Sequence, residues 1–196
     1  MKFFIVGMHS SYKHTIAKEL ERLGMKYGKL FSTLESEKIY GDFELFKNQD
    51  ITEIFENDAY TFLHEMIYEN KNTVYKYYEG LSDHTLDYND VFVLSPDQFL
   101  CIPNSKLPQQ DVLYIWLDNT KIHRKNVYMT ENRVYGWGER EEVENQDLEE
   151  FIKNIYEIAD GNILYFTNEE PERVATIIYT LYKYPELLEL YKKSFK

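Results

Sequence analysis

The first thirty residues join a strand, a turn and a helix with no spare residues between them. Residues 2–6, Lys-Phe-Phe-Ile-Val, are a short and mostly apolar run that predicts a buried strand. A turn follows over residues 7–15, and the apolar spacing then predicts a helix over about 16–23, which Gly24 ends. The rest of the chain is interpreted from this unit.

The turn has the spacing of a phosphate-binding loop. In the usual pattern, G-x-x-x-x-G-K-[ST], backbone N–H groups surround phosphate oxygens while the lysine reaches the β- and γ-phosphates. Gly7 and Lys13 stand at the required separation. The turn therefore predicts an ATP site, and its contacts are assigned to Gly7, Ser10, Ser11, Tyr12, Lys13, His14 and Thr15.

Two positions depart from that pattern. Tyr12 replaces the second glycine, so a positive φ there would cost about 1–2 kcal/mol and the ring would have to point away from the phosphates. His14 replaces the hydroxyl residue that normally holds Mg²⁺, and it could instead face phosphate as a cation. Thr15 supplies a hydroxyl about 100° further around the helix, and we predict it as a metal ligand. The alternative is an unremarkable strand–turn–helix with Lys13 in solvent.

Composition excludes several classes of protein. The chain has 196 residues, 43% hydrophobic and 29% charged, which suits one globular domain. A net charge of −12 argues against general binding to nucleic acids or to anionic membranes. Cys101 is the single cysteine, so no internal disulfide can form. With no signal-peptide or membrane-spanning run expected, we predict a cytoplasmic protein.

Three further apolar runs predict the rest of a sheet. They cover residues 90–95, 112–117 and 163–166, and continuous apolar runs are typical of parallel strands covered on both faces. Helices are predicted over about 146–159 and about 170–190. Strands that alternate with helices predict an α/β fold, with a parallel sheet, helices on both faces and ligands at the carboxyl ends of the strands.

The middle of the chain has weaker patterns. Residues 25–33 suggest a short strand entering a loop, and 51–69 show helical spacing of apolar residues. Residues 73–78 predict a strand, with a turn at Glu79-Gly80. In the last predicted helix, Pro171 suits the first turn and Pro185 should break or kink it.

Other chemistries find little support in the sequence. The five histidines show no close metal-ligand spacing with Cys101 or with one another, and His9 with His14 is the nearest pair one could draw. The G-x-S-x-G turn of serine hydrolases is absent.

In the order of these elements the chain resembles the guanylate kinase-like branch of the P-loop nucleoside monophosphate kinases. The resemblance covers most of the chain and implies a single domain with a P-loop fold. It places the core in residues 1–30, 86–120 and 145–196, a substrate-binding insertion at about 31–85 and a lid at about 121–144.

The resemblance implies phosphoryl transfer from ATP, with Mg²⁺, to a nucleoside or deoxynucleoside monophosphate. The ending Lys13-His14-Thr15 is also similar to the G-K-D-T loops of some phage deoxynucleoside monophosphate kinases. Together with a composition that suits an AT-rich genome, this suggests a phage protein. We expect a monomer or homodimer, although the sequence does not decide between them.

The same resemblance implies catalytic roles for Lys13 and for arginines of the lid, which are Arg124, Arg133 and Arg140. Planar guanidinium groups suit bidentate phosphate contacts and stabilise transferring phosphoryl groups. Residues 135–138, Tyr-Gly-Trp-Gly, are predicted to form a mobile turn there. The alternative is surface ion pairing of the arginines with Glu139, Glu141 and Glu142.

Substrate contacts are implied for residues of the insertion and of the strand that follows it: Ser32, Lys38, Glu65, Tyr75, Tyr78, Ser82 and Asp97. Asp97 could also contact Mg²⁺, directly or through its water, or it could simply form the turn after the strand. In the hairpin that matches the family, Glu79 is interpreted as an inserted residue. Tyr75 and Tyr78 could instead be core residues. No arginine lies between Arg22 and Arg124, so recognition of guanine is doubtful and an inactive module that binds a protein or senses a nucleotide is the alternative function.

Overall fold

The computed structural model describes residues 1–33, 43–45, 60–70, 73–108, 110–130 and 137–194. The strands of this part are β1 (Lys2–Gly7), β2 (Tyr27–Gly28), β3 (Leu30–Ser32), β4 (Phe43–Leu45), β5 (Tyr60–Asn70), β6 (Thr73–Ser82), β7 (Val91–Leu94), β8 (Val112–Leu117) and β9 (Ile163–Phe166). The α-helices are α1 (Lys13–Arg22), α2 (Asp83–Tyr88), α3 (Pro96–Leu100), α4 (Lys121–Thr130), α5 (Trp137–Ala159), α6 (Pro171–Lys183) and α7 (Leu188–Ser194). Single 3₁₀ turns lie at Asn104–Lys106 and Pro185–Leu187.

A five-stranded parallel sheet forms the centre, in the order β2-β7-β1-β8-β9. β1 lies in the middle, where Phe4 pairs with Phe92 on one side and with Tyr114 on the other. Because all strands point the same way, the loops after β1, β7 and β8 meet at one edge. The predicted α/β fold with a parallel sheet is confirmed.

Helices cover both faces of this sheet, as predicted. Phe3 and Ile5 of β1 belong to a core shared with α1 and α6, whereas Phe4 and Val6 belong to a core shared with α3 and α5. Side chains alternate between the two faces of a strand, so an apolar strand can supply both cores at once. All four residues are fully buried.

A smaller sheet, in the order β4-β3-β6-β5, is built from the predicted insertion. The helix predicted over 51–69 is wrong where the structure describes it, because residues 60–69 lie in β5 and pair antiparallel with β6. Phe62 of β5 and Leu81 of β6 join the core under α3 and α5. Residues 60–69 form a strand because they pair with β6. The spacing of apolar residues within one segment does not show whether such a partner strand is present. Residues 51–59 lie outside the described part.

The turn predicted at Glu79-Gly80 is also wrong, because β6 continues through it to Ser82. A Cβ on Gly80 would lie 2.5 Å from the ring of Phe31 and 2.6 Å from the carbonyl oxygen of Phe62. Gly80 therefore does not mark a turn. It lets the ring of Phe31 and the carbonyl oxygen of Phe62 approach the backbone of β6 closely.

Most other boundaries agree with the sequence to within a few residues. β8 and β9 match their predicted ranges, α6 begins at Pro171, and Pro185 separates α6 from α7. α5 begins at Trp137, nine residues before the predicted start at 146, and therefore takes in part of the predicted lid. Among the described residues, no helix is long and apolar enough to cross a membrane.

Candidate phosphate-binding site

The segment of residues 7–13, called here the 7–13 loop, connects the central strand to α1. Two of its residues adopt the left-handed conformation, Ser10 with φ 55° and Tyr12 with φ 65°. Tyr12 therefore has the positive φ whose cost was considered for this position from the sequence. Left-handed residues in a turn let successive backbone N–H groups point into one concavity, which suits an anion.

Gly7 is required by the way the loop folds back on the strand. A Cβ at this position would lie 2.6 Å from Oγ of Ser11 and 3.0 Å from Cβ of Leu117. The loop therefore closes only because residue 7 has no side chain. The close approach of Ser11 and Leu117 explains why the first position of the motif is a glycine.

Lys13 crosses the loop from the first turn of α1. Its Nζ donates a hydrogen bond of 2.8 Å to the carbonyl oxygen of Met8, and the residue is only 8% exposed. A lysine ammonium has three donors, so the group can bind an anion while it holds the loop closed. Its position places a cation inside the turn, near the positive end of α1.

Two serine hydroxyls of the loop are buried without a hydrogen-bond partner among the described residues. They are the Oγ atoms of Ser10 and Ser11, and Ser11 is only 2% exposed. Buried hydroxyls are usually hydrogen-bonded, since leaving one unsatisfied costs about 1–3 kcal/mol. Phosphate oxygens in the loop would satisfy both, so these residues fit a polyphosphate.

Helix α4 packs against the loop through two pairs of rings. The ring of Tyr12 meets His123 edge to face with centroids 5.8 Å apart, and His9 meets Tyr128 in the same way at 6.1 Å. Tyr12 therefore directs its ring toward α4, which leaves the backbone of the loop open. His123 belongs to the basic residues of the predicted lid, but the sequence assigns it no site role, and its contact with Tyr12 is visible only in the structure.

A second group of polar residues lies where the small sheet meets the N-terminus of α3. Nδ1 of His64 is 3.7 Å from Oδ2 of Asp97, and Nε2 of Gln98 donates a 2.7 Å hydrogen bond to Oε2 of Glu79. His64 and Glu79 face each other across β5 and β6. We call these four residues the polar cluster. It brings the predicted Asp97 to the edge where ligands are expected in an open α/β sheet.

The structure of guanylate kinase from Anaplasma phagocytophilum is similar to this one, with a TM-score of 0.54 at 12% sequence identity, and the match covers 92% of this chain and 83% of that one. The chain has a P-loop kinase-like fold. Shikimate kinase from Acinetobacter baumannii in complex with shikimate matches with a TM-score of 0.42 at 14% identity, over 95% of this chain and 94% of that one. No protein-family model and no curated protein sequence matches the chain.

In this P-loop fold the two residues after Lys13 lie away from the loop interior. Nδ1 of His14 is 3.0 Å from the hydroxyl of Tyr27, and Thr15 is exposed in a groove that α1 forms with Pro171 of α6. The roles of His14 as a phosphate contact and of Thr15 as a metal ligand stay predictions. Within the described ranges, no three His, Cys, Asp or Glu side chains lie together in a group that could hold a metal ion by itself.

The predicted lid is described only in part. Arg124 lies in α4, is 3% exposed and donates from Nε to the carbonyl oxygen of Asn119 at 3.2 Å. Arg140 lies in α5, and Arg133 is outside the described residues. The mobile turn predicted at 135–138 is wrong at Trp137 and Gly138, which are helical, while 135–136 are not described. The catalytic roles of these arginines stay predictions.

The other predicted substrate contacts lie around the small sheet. Ser32 is fully buried on β3 opposite Glu79, and the backbone N–H of Tyr78 donates to Oγ1 of Thr33 at 2.9 Å. Ser82 caps α2, where its Oγ accepts from the N–H of Thr85 at 3.0 Å. Glu65 and Tyr75 lie on the hairpin strands β5 and β6, and Lys38 is outside the described residues.

Glu79 and Gln98 are site residues that the sequence interpretation missed. Glu79 had been read as an insertion, but the structure places it in a continuous strand. The signal for Gln98 was present, since Ser95 and Gln98 have the spacing of a capping box and the structure forms one. Its side-chain amide also reaches Glu79, which no pattern along the chain could show.

Proposed function

We propose that the protein binds the polyphosphate of ATP in the 7–13 loop and transfers the γ-phosphoryl group to a nucleoside or deoxynucleoside monophosphate. The observation that carries this proposal is the loop itself. It closes over Gly7, places Lys13 within it, and leaves the Ser10 and Ser11 hydroxyls without partners among the described residues. These features together favour a ligand rich in anionic oxygens.

In phosphoryl transfer the protein contributes mainly by positioning the reactants and by stabilising negative charge. The bond from the γ-phosphorus to the β–γ bridging oxygen breaks, and a bond to a phosphate oxygen of the acceptor forms, so that ADP leaves. Lys13 neutralises charge on the transferring oxygens, and lid arginines would act from the other side. The described residues include no group of three His, Cys, Asp or Glu side chains that could hold a metal ion by themselves, so any Mg²⁺ in this scheme would be held mainly by the phosphate oxygens of ATP and by water.

The polar cluster is the proposed acceptor site. It lies at the carboxyl end of β7, beside the central strand that carries the 7–13 loop. The carboxylates of Glu79 and Asp97 accept hydrogen bonds, so they favour a base edge with N–H donors. The phosphate of the acceptor would then need cations from outside this cluster, for which Lys38 and the lid arginines remain the predicted sources.

Isothermal titration with ATP, followed by an ADP-release assay with each common monophosphate, tests the proposal. Lys13→Ala should abolish measurable turnover, because the transferring phosphoryl group loses its cation, and should leave the thermal midpoint close to that of the wild type. Lys18→Ala removes an exposed lysine from the same helix and serves as the control. Turnover that survives Lys13→Ala would remove this residue from the site.

The second candidate is a module that binds a nucleotide or a protein without catalysis. It is favoured by the sequence after Lys13. His14 stands at the position of the Ser or Thr whose hydroxyl usually accompanies phosphoryl transfer, and its Nδ1 lies near the hydroxyl of Tyr27, while Thr15 is exposed. ATP binding without turnover on any monophosphate would favour this candidate. A cytoplasmic location, a phage origin and a monomeric or homodimeric state stay predictions from the sequence.

A further inference from the structure

Asn119, two residues after the end of β8, joins three loops at the ligand edge of the sheet. Its Nδ2 donates to the carbonyl oxygen of Ser11 at 3.4 Å, and its Oδ1 accepts from the N–H of Asn168 at 2.8 Å. Its own carbonyl oxygen accepts from Nε of Arg124. The residue is 9% exposed, so its side chain is held among these partners.

The contact with Asn168 fixes which way the Asn119 amide is turned. A backbone N–H can only donate, so the atom that faces Asn168 must be the side-chain oxygen. The side-chain nitrogen is then the atom directed at Ser11, where it meets a carbonyl acceptor. The side chain of Asn168 makes a separate bond, in which its Oδ1 accepts from the N–H of Thr120 at 3.0 Å, so only the backbone N–H of Asn168 acts on the Asn119 amide.

Holding the carbonyl of Ser11 also orients the next backbone donor. In a planar trans peptide the C=O and the following N–H point in opposite directions, and no cis peptide bond occurs in the described chain. The N–H of Tyr12 must therefore point away from Asn119. Ser10 and Tyr12 both have positive φ without being glycine, so the loop needs such a contact to keep its conformation.

We infer that Asn119 is a positioning residue that directs the Tyr12 N–H at the bound polyphosphate, an inference that rests on the proposed function. The residue does not touch the ligand itself. A glycine at position 12 would adopt the left-handed conformation easily. With tyrosine there, the hydrogen bond from Asn119 to the Ser11 carbonyl helps to hold that conformation. The loop between β9 and α6 takes part, because Asn168 fixes the Asn119 amide.

The test compares two variants of the full chain. Asn119→Ala removes the contact to Ser11 together with the Oδ1 that accepts from the Asn168 N–H. Asn168→Gly removes the Oδ1 that accepts from the N–H and hydroxyl of Thr120, keeps the N–H that donates to Asn119, and suits the φ of 53°. Asn168→Gly thus loosens the same pair of loops without touching the contact under test. Asn119→Ser is the milder variant if Asn119→Ala does not fold.

Titrations use ATP and inorganic triphosphate, with the ¹⁵N shift of the Tyr12 amide as a second readout. We expect Asn119→Ala to weaken both ligands by about tenfold, the size expected when a hydrogen bond to a charged group is misaligned, and to abolish the ligand-induced shift of that amide. Asn168→Gly should stay within about twofold of the wild type.

Two outcomes would overturn the inference alone: wild-type affinity in Asn119→Ala, or an equal loss in Asn168→Gly, which would mean that loop packing is what matters. If the wild-type protein binds neither ATP nor triphosphate, the proposed function fails first and the inference fails with it. The wild-type titration separates these cases before any variant is compared.

Discussion

Tyr114 shows how one buried polar atom affects stability. It lies in β8, is 1% exposed, and its hydroxyl has no hydrogen-bond partner among the described residues. Burial raises the pKa of this hydroxyl from 10.0 to about 12. The pKa of Tyr114 is higher in the folded protein than in the unfolded chain. Below pH 10 the hydroxyl is therefore protonated in both states, and the free energy of unfolding falls as the pH rises from 10 through about 12.

Tyr114→Phe should therefore raise the free energy of unfolding by about 1 kcal/mol at pH 8, since it removes an unsatisfied hydroxyl while keeping the ring. At pH 11, about midway between the unfolded and folded pKa values, it should also remove about 1.4 kcal/mol of alkaline loss in the free energy of unfolding. Urea unfolding at pH 8 and pH 11 measures both effects. The control is Tyr88→Phe, at a tyrosine that is 64% exposed, and an equal change there would contradict the explanation.

At the scale of an element, the end of α1 depends on one glycine. Gly24 has φ 97°, and the N–H of Met25 donates to the carbonyl oxygen of Leu20 at 3.0 Å, which closes the helix. Apart from Gly24 and its two chain neighbours, no heavy atom of the described residues lies within 4 Å of a Cβ built on Gly24. The cost of a side chain there would therefore come from the backbone conformation alone.

We expect Gly24→Ala to lower the free energy of unfolding by about 1 kcal/mol, because alanine is strained at positive φ. Gly24→Asn should lose less, since asparagine tolerates the left-handed region better than other residues. Chemical denaturation of both variants gives the comparison. Equal losses would mean that the helix end does not depend on left-handed conformation.

At the scale of the whole molecule, the polar cluster is where the small sheet meets the large one. The bond from Gln98 to Glu79 crosses from α3 to β6, and Gln98 is 8% exposed. Phe62 and Leu81 support the same junction from the core. The junction therefore combines apolar burial with a hydrogen bond to a charged group.

A double-mutant cycle with Glu79→Ala and Gln98→Ala should give a coupling free energy of about 1.5–3 kcal/mol in urea unfolding, the range for hydrogen bonds to charged groups. The matched cycle is Glu19→Ala with Arg22→Ala, a pair whose arginine side chain is 70% exposed. Solvent screening should make that coupling much smaller than the one between Glu79 and Gln98. If the two couplings are equal, the inter-sheet bond contributes no more than a surface pair.

The sequence by itself determined the parallel sheet and the 7–13 loop. Both depend on local signals, since apolar runs such as 112–117 mark buried strands and the spacing of Gly7 and Lys13 marks the turn. The signals that mark these features lie within short segments of the chain, although the strands they mark then pair across long separations, as Lys2 does with Val112.

Only the tertiary structure decided the hairpin of β5 and β6, the role of Glu79 and the contacts of Asn119. The strand β5 exists because β6 lies beside it, and Glu79 meets Gln98 across 19 positions. Asn119 reaches Ser11 across 108 positions and Asn168 across 49. Pairings between distant segments leave no period or spacing in the sequence, because their partners are chosen by packing.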